Sequence, residues 1–116
     1  MSDLMFPTRS PESLGLREVQ YEKQGWVARI TIDRPQNYNA YSTSALQELA
    51  AAFQDAAFDD KVSVVVFTGV GQRAFCTGGD VKEYQKSYTQ RPRDYWKYMS
   101  YFKAYIESII NCSKPV

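Results

Sequence analysis

An α/β fold is predicted by three features read along the 116 residues. Val19 and Tyr21 alternate with polar neighbours ahead of a second run from Trp26 to Ile32, the pattern of paired, half-buried strands. Leu46, Leu49, Ala50, Phe53 and Ala57 repeat at the spacing of one helical face. Val62, Val64, Val65, Val66 and Phe67 then form a nearly unbroken β-branched run, as strands covered on both faces do. A helix placed between two such strands makes a parallel crossover.

In chain order, residues 1–15 carry Pro7, Pro11, Gly15 and several serines without periodicity, which predicts a flexible or draping arm ahead of a core spanning 16–116. Lys23-Gln24-Gly25 offers the turn of a hairpin that ends at Arg34-Pro35. Past a polar loop, Ser44 stands three residues before Gln47, a capping-box spacing that predicts the start of a helix of about four turns. Asp59-Asp60 ends it. A longer amphipathic helix is predicted from Tyr95, Tyr98, Met99, Phe102, Ile106, Ile109 and Ile110, stopping at Asn111. Ser113 to Val116 reads as the first step of another strand. One crossover cannot surround a parallel strand, so the pattern predicts the front portion of a larger, here incomplete, fold.

Composition narrows the chemistry. Apolar residues make up 44% and aromatic residues 15% of the chain, enough for a core. Fourteen Lys and Arg against thirteen Asp and Glu leave a net charge of +1, so no broad basic footprint for nucleic acid is expected. The chain has no histidine, which removes the commonest general base and metal ligand. Cys76 and Cys112 are too far apart for a CxxC unit, so no metal is expected and two reduced thiols are favoured over a disulfide. No window approaches a membrane span or a signal peptide. A cytoplasmic protein is the expectation.

The junction after the Val62–Phe67 run carries the chemistry. Gly69-Val70-Gly71-Gln72-Arg73-Ala74 satisfies GxGxxA formally, but no helix opens at once and Arg91-Pro92-Arg93 stands where the acidic residue belongs, so nucleotide binding is not expected. A Walker loop lacks its Gly-Lys-Ser/Thr. Gly78-Gly79 precedes Asp80, a good N-cap residue, with Glu83 at the third helical position. Backbone amides at such a helix start favour an anion, and glycine lets it approach closely. An oxyanion hole needs that arrangement. A plain tight turn is equally compatible with the spacing.

Several motifs in order resemble a known family. Ile32-Asp33-Arg34-Pro35 with Asn39-Ala40, the Val64 to Thr68 run with Gly69, Ala74-Phe75-Cys76-Thr77-Gly78-Gly79-Asp80, and Cys112-Ser113-Lys114-Pro115-Val116 resemble the front half of the enoyl-CoA hydratase/isomerase (crotonase) superfamily, over residues 19–116. The resemblance implies a ββα spiral fold assembled as a homotrimer or dimer of trimers. It implies an enzyme that binds an acyl-CoA and holds the thioester oxygen between two backbone N–H groups, with coenzyme A arriving as part of the substrate and no separate cofactor. By the same resemblance Gly79 is the first donor, while the second donor and the proton-handling acids belong to segments after Val116. Substrate and CoA contacts are implied at Asn39, Ala40, Phe75, Cys76, Gly78, Gly79, Asp80, Val81, Lys82 and Tyr84. Arg34, Arg73 and Lys82 are candidates for CoA phosphates, with solvated surface charge as the alternative. Lys82-Glu83-Tyr84 and Tyr95 to Phe102 are most similar to the ring-opening branch, the 6-oxocyclohex-1-ene-1-carbonyl-CoA hydrolases. Naphthoyl-CoA synthases and isomerases are alternatives, as is a non-catalytic assembly module. Tyr84, Tyr88, Tyr95 and Tyr98 are expected either to line a pocket for a bulky acyl group or to pack as core. Gly79→Pro, which deletes the N–H, is expected to abolish turnover and spare the fold.

Overall fold

The computed structural model describes residue 6 and residues 8–116. The rest of the expected N-terminal arm lies outside the described residues. Strands β1 (Val19–Gln24) and β2 (Val27–Ile32) form an antiparallel hairpin, with Val19 opposite Ile32 and Gln24 opposite Val27. The turn is Gly25-Trp26, one residue later than the sequence suggested. Gly25 adopts φ 60°, a value that favours glycine at the first position of a two-residue loop. Trp26 therefore leaves the strand and is exposed.

Helix α1 (Thr43–Phe58) crosses from β2 to β3 (Val64–Gly69), and β3 lies parallel to β2 in the order β1-β2-β3. The α1 cap is Ser42, whose hydroxyl accepts from the Ala45 amide at 3.1 Å. Ser44, the expected cap, is exposed inside the helix. Ala45 occupies the third position from the real cap, so the Ser44–Gln47 box does not form. Ile30, Ile32, Leu46, Leu49, Phe53 and Val65 form the centre of the core between sheet and helices. Only Val65 of β3 is fully buried. The other five residues of β3 are half-buried, so the described residues do not cover the strand fully on both faces as expected.

The last residues also reach β3. The Val65 amide, on the side away from β2, donates to the Pro115 carbonyl at 2.9 Å. Lys114 Nζ donates to the carbonyls of Ala56 and Asp59 at 2.8 and 2.6 Å, where the end of α1 leaves carbonyls without helical partners. Helix α3 (Pro92–Ile110) packs beside α1 and contributes the buried Tyr98 and Tyr105. Residues 8–15 lie along α1, with the Arg9 amide donating to Asp55 at 2.9 Å and Leu14 against the core. No helix among the described residues is long and apolar enough to cross a membrane.

Candidate thioester site

Because β2 and β3 run parallel and Ile32 pairs with Gly69, the loops that follow them leave the sheet from the same edge. Crevices at the carboxyl ends of parallel strands are where α/β folds place ligands. Asn39 joins the two loops. Its Oδ1 accepts from the Arg34 amide at 3.0 Å, and its Nδ2 donates to the carbonyls of Val70 and Ala74 at 3.1 and 2.8 Å. The residue is 1% exposed and adopts φ 59°, a left-handed conformation that Asn tolerates better than most residues. Its amide is thus fully committed to backbone. The Asn39 side chain fixes the crevice wall and has no group to spare for a ligand.

The two glycines serve different purposes. Gly78 adopts φ 104°, with open space where a side chain would go; it is there for conformation. Gly79 has an ordinary φ but no room. A Cβ on it would collide with the Tyr84 hydroxyl and come within 2.9 Å of the Tyr98 hydroxyl. Gly79 also forms an isolated parallel bridge with Tyr41. In that bridge the Tyr41 amide donates to Gly78 O at 2.9 Å and the Asp80 amide donates to Tyr41 O at 3.0 Å. A parallel bridge uses the peptide groups on either side of the central residue. The N–H of Gly79 itself is turned away from Tyr41 and meets no backbone acceptor among the described residues.

Asp80 starts helix α2 (Val81–Glu83), its Oδ1 accepting from the amides of Lys82 and Glu83 at 3.0 and 3.3 Å. The reciprocal arm of a capping box is missing. Glu83 instead accepts from the amide and hydroxyl of Thr43, both at 2.9 Å, and the Asp80 amide is held by Tyr41. Burial pushes the Asp80 carboxyl up, but its hydrogen bond with Arg34 and the two helix amides outweigh that and hold it below the usual carboxylate range. Arg34 Nη2 meets Asp80 Oδ2 at 3.0 Å, Nε meets Glu18 Oε1 at 2.8 Å, and Nη1 donates to the Ala40 carbonyl. Arg34 is therefore neither a phosphate ligand nor solvated charge, as the sequence had suggested. Its guanidinium is spent between two carboxylates and a carbonyl. Glu18 carries no local sequence signal for this role, since its partner is 16 residues away.

An open cleft of about 300 Å³ is lined by Tyr38, Ala40, Thr77, Gly79, Asp80 and Lys82, among others. Ala40, Gly79, Asp80, Val81 and Lys82, five of the residues expected to contact the substrate, line this one cleft. Lys82 is exposed at the rim, and Arg73 lies over the Tyr38 ring at 5.4 Å. Phe75 and Cys76 do not line it: Phe75 is exposed and packs edge-on against Phe67 at 5.1 Å, while Cys76 is a half-buried free thiol.

Tyr84 opens a π-helical turn (Tyr84–Tyr88) that leads toward α3. Its hydroxyl is 2.5 Å from that of Tyr98, and its ring meets those of Tyr88, Tyr95 and Tyr98. Tyr84, Tyr88, Thr89, Pro92 and Tyr95 line a second cavity of about 340 Å³. Tyr98 is core, at 1% exposure, and burial followed by the Tyr84 contact raises its hydroxyl pKa strongly. The expected alternatives thus divide: three of the four tyrosines line a cavity and one is buried.

The enoyl-CoA hydratase/isomerase family model matches residues 22–116. A 6-oxocyclohex-1-ene-1-carbonyl-CoA hydrolase of Geobacter metallireducens is 41% identical over 93% of this chain and 32% of its own length. One of the same name from Syntrophus aciditrophicus is 44% identical over 77% of this chain and 23% of its own. The chain thus spans about a third or less of these curated relatives. Among solved structures, an enoyl-CoA hydratase/carnithine racemase from Magnetospirillum magneticum superposes with a TM-score of 0.81 at 26% identity, covering 87% of this chain and 38% of that one. An enoyl-CoA hydratase from Bacillus anthracis shares the fold, with a TM-score of 0.77 at 24% identity over 86% of this chain and 38% of its own.

Proposed function

Since the chain belongs to the enoyl-CoA hydratase/isomerase family, we propose that it supplies one side of an acyl-CoA site in which the Gly79 N–H receives the thioester oxygen. One observation carries this reading: Gly79 lines a cleft, and the bridge to Tyr41 uses the peptide groups flanking it, so its own amide meets no backbone acceptor among the described residues. A preorganised backbone donor stabilises the negative charge that develops on a thioester oxygen as an enolate forms. Asp80 caps the following turn and Arg34 clamps Asp80, so the donor sits on a braced segment. Coenzyme A enters with the substrate, its phosphates near exposed Lys82. The reaction is a hydration or hydrolysis, with the second donor and the acid-base groups supplied by segments after Val116. The tyrosine-lined cavity and the relatives' printed names support a cyclic enoyl-CoA as substrate.

Gly79→Pro would delete the N–H but also place a Cβ against the Tyr84 hydroxyl, so a loss of turnover would mix the two effects. Replacing Gly79 by glycolic acid removes the N–H and adds no side chain. In the full-length protein this ester is expected to lower kcat on a cyclic enoyl-CoA by about 10²–10³-fold with unchanged circular dichroism. Undiminished kcat would exclude Gly79 as the donor.

A further inference from the structure

The C=O and N–H of one trans peptide group point in opposite directions, and no peptide bond among the described residues is cis. Arg34 Nη1 donates to the Ala40 carbonyl. The N–H at the other end of that peptide belongs to Tyr41, which donates to the Gly78 carbonyl at 2.9 Å. Gly78 C=O in turn shares its peptide with the Gly79 N–H, and Gly79 lines the first cleft. One guanidinium N–H and two peptide groups thus stand in single file, all directed from Arg34 toward Gly79. Such a file is cooperative: a donor at one end makes the N–H at the far end a stronger donor, by about 10–30% per bond. A charged donor at its head acts more strongly than a neutral one. The other edges of the half-buried guanidinium fix its aim, with Nε on Glu18 at 2.8 Å and Nη2 on Asp80 at 3.0 Å. The second bond of the Tyr41 bridge, from the Asp80 amide to Tyr41 O at 3.0 Å, joins two different peptide groups and stands outside the file.

We propose that Arg34 is a positioning residue of the thioester site: relayed through the Ala40–Tyr41 and Gly78–Gly79 peptides, its charge strengthens the Gly79 N–H as a donor to the thioester oxygen. The inference rests on the thioester reading above and adds the source of the donor's strength. Arg34 touches no substrate in this role. It acts at a distance of two peptide groups, and Tyr41 contributes through its backbone alone.

The test uses the full-length protein and cyclohexane-carbonyl-CoA labelled with carbon-13 at the thioester carbonyl, a probe with no ring double bond to hydrate. Isotope-edited infrared spectra read how far binding lowers the carbonyl stretch, and kcat is read separately on a cyclic enoyl-CoA. Replacing Tyr41 by its α-hydroxy acid cuts the file in the middle and keeps every side chain. Replacing Asp80 by its α-hydroxy acid cuts the other bond of the same bridge. The Tyr41 ester is expected to lose about 20–60% of the carbonyl shift, two bonds' worth of cooperativity, and about tenfold in kcat. The Asp80 ester should keep the shift and stay within about twofold in kcat. Arg34→Gln should lose part of the same shift, and should lose nothing further when the Tyr41 ester is already present, because the path it acts through is cut. No loss in the Tyr41 ester, equal losses in the two esters, or an Arg34→Gln loss that adds to the ester's would each overturn the inference while the thioester reading stands. Should circular dichroism show Arg34→Gln unfolded, the two esters decide on their own. A wild type in which binding leaves the carbonyl band unmoved overturns the thioester reading and this inference with it.

Discussion

At the residue scale, Gly78 and Gly79 look interchangeable in sequence but are constrained by different forces. Gly78 is fixed by its backbone angle and Gly79 by the tyrosine hydroxyls beside it. Gly78→Ala should lose about 1–3 kcal/mol through strain, and Gly79→Ala a similar amount through overpacking. The distinguishing measurement is a double-mutant cycle with Tyr84→Phe, read by urea unfolding of the full-length protein. Removing the Tyr84 hydroxyl should partly rescue Gly79→Ala, with a coupling of about 0.5–3 kcal/mol, and leave Gly78→Ala within about 0.5 kcal/mol of additivity. Equal coupling for both would refute the division. Sequence reasoning could single out the Gly78-Gly79 segment because Asp80 and Glu83 lie within a few residues of it. It could not separate the two glycines, since Tyr98 reaches Gly79 from a helix 19 positions later. Arg34 escaped for the same reason, its carboxylate partners being distant in sequence and adjacent in space.

At the element scale, most of the chain was legible where periodicity and punctuation agree. β2, α1 and β3 lie within a residue or two of their patterned runs, and α3 ends at Asn111 as predicted. The start of α1 was misplaced because a local spacing rule chose Ser44, whereas long-range partners chose Ser42. Ser42 caps Ala45 and also donates to the Glu18 carboxylate at 3.0 Å. Ser42→Ala should therefore cost about 0.5–2 kcal/mol, while exposed Ser44→Ala should stay within about 0.5 kcal/mol of wild type. Thermal unfolding of the two variants side by side checks this, and equal effects would return the cap to Ser44. The π turn at Tyr84–Tyr88 was invisible to periodicity because it is a departure from the 3.6-residue repeat. It matters to the site, since π bulges gather at functional positions and this one carries Tyr84 and Tyr88 to the cavity.

At the scale of the whole molecule, charge ties the hairpin to α1 at one end and the two loops together at the other. Lys23 meets Asp55 and Asp59 at 2.8 and 2.7 Å, and Tyr21 donates to Asp55 at 2.6 Å. Burial pushes Lys23 down, but these carboxylates outweigh it and raise its pKa above 10.5. Burial and then Asp55 raise Tyr21 far above 10.0. Both groups hold their protons more tightly when folded than unfolded, so their contribution is complete below about pH 10 and falls as pH rises toward the folded values. Asp59 and Asp80 behave in the opposite sense. Burial raises each carboxyl, yet Lys23 for Asp59 and Arg34 for Asp80, with backbone amides, bring both below 3.8. Their contribution is complete above about pH 4 and disappears as pH falls through the lowered values. Stability of the full-length protein should thus form a plateau with an acid and an alkaline shoulder that separate mutations can move. Asp80→Asn should shrink the acid shoulder to the part Asp59 supplies and leave the alkaline one; Tyr21→Phe should shrink the alkaline shoulder to the part Lys23 supplies and leave the acid one. Urea midpoints measured from pH 2.5 to 11 decide it, and an acid limb unchanged in Asp80→Asn would mean that the Arg34 clamp contributes nothing to the fold that presents Gly79.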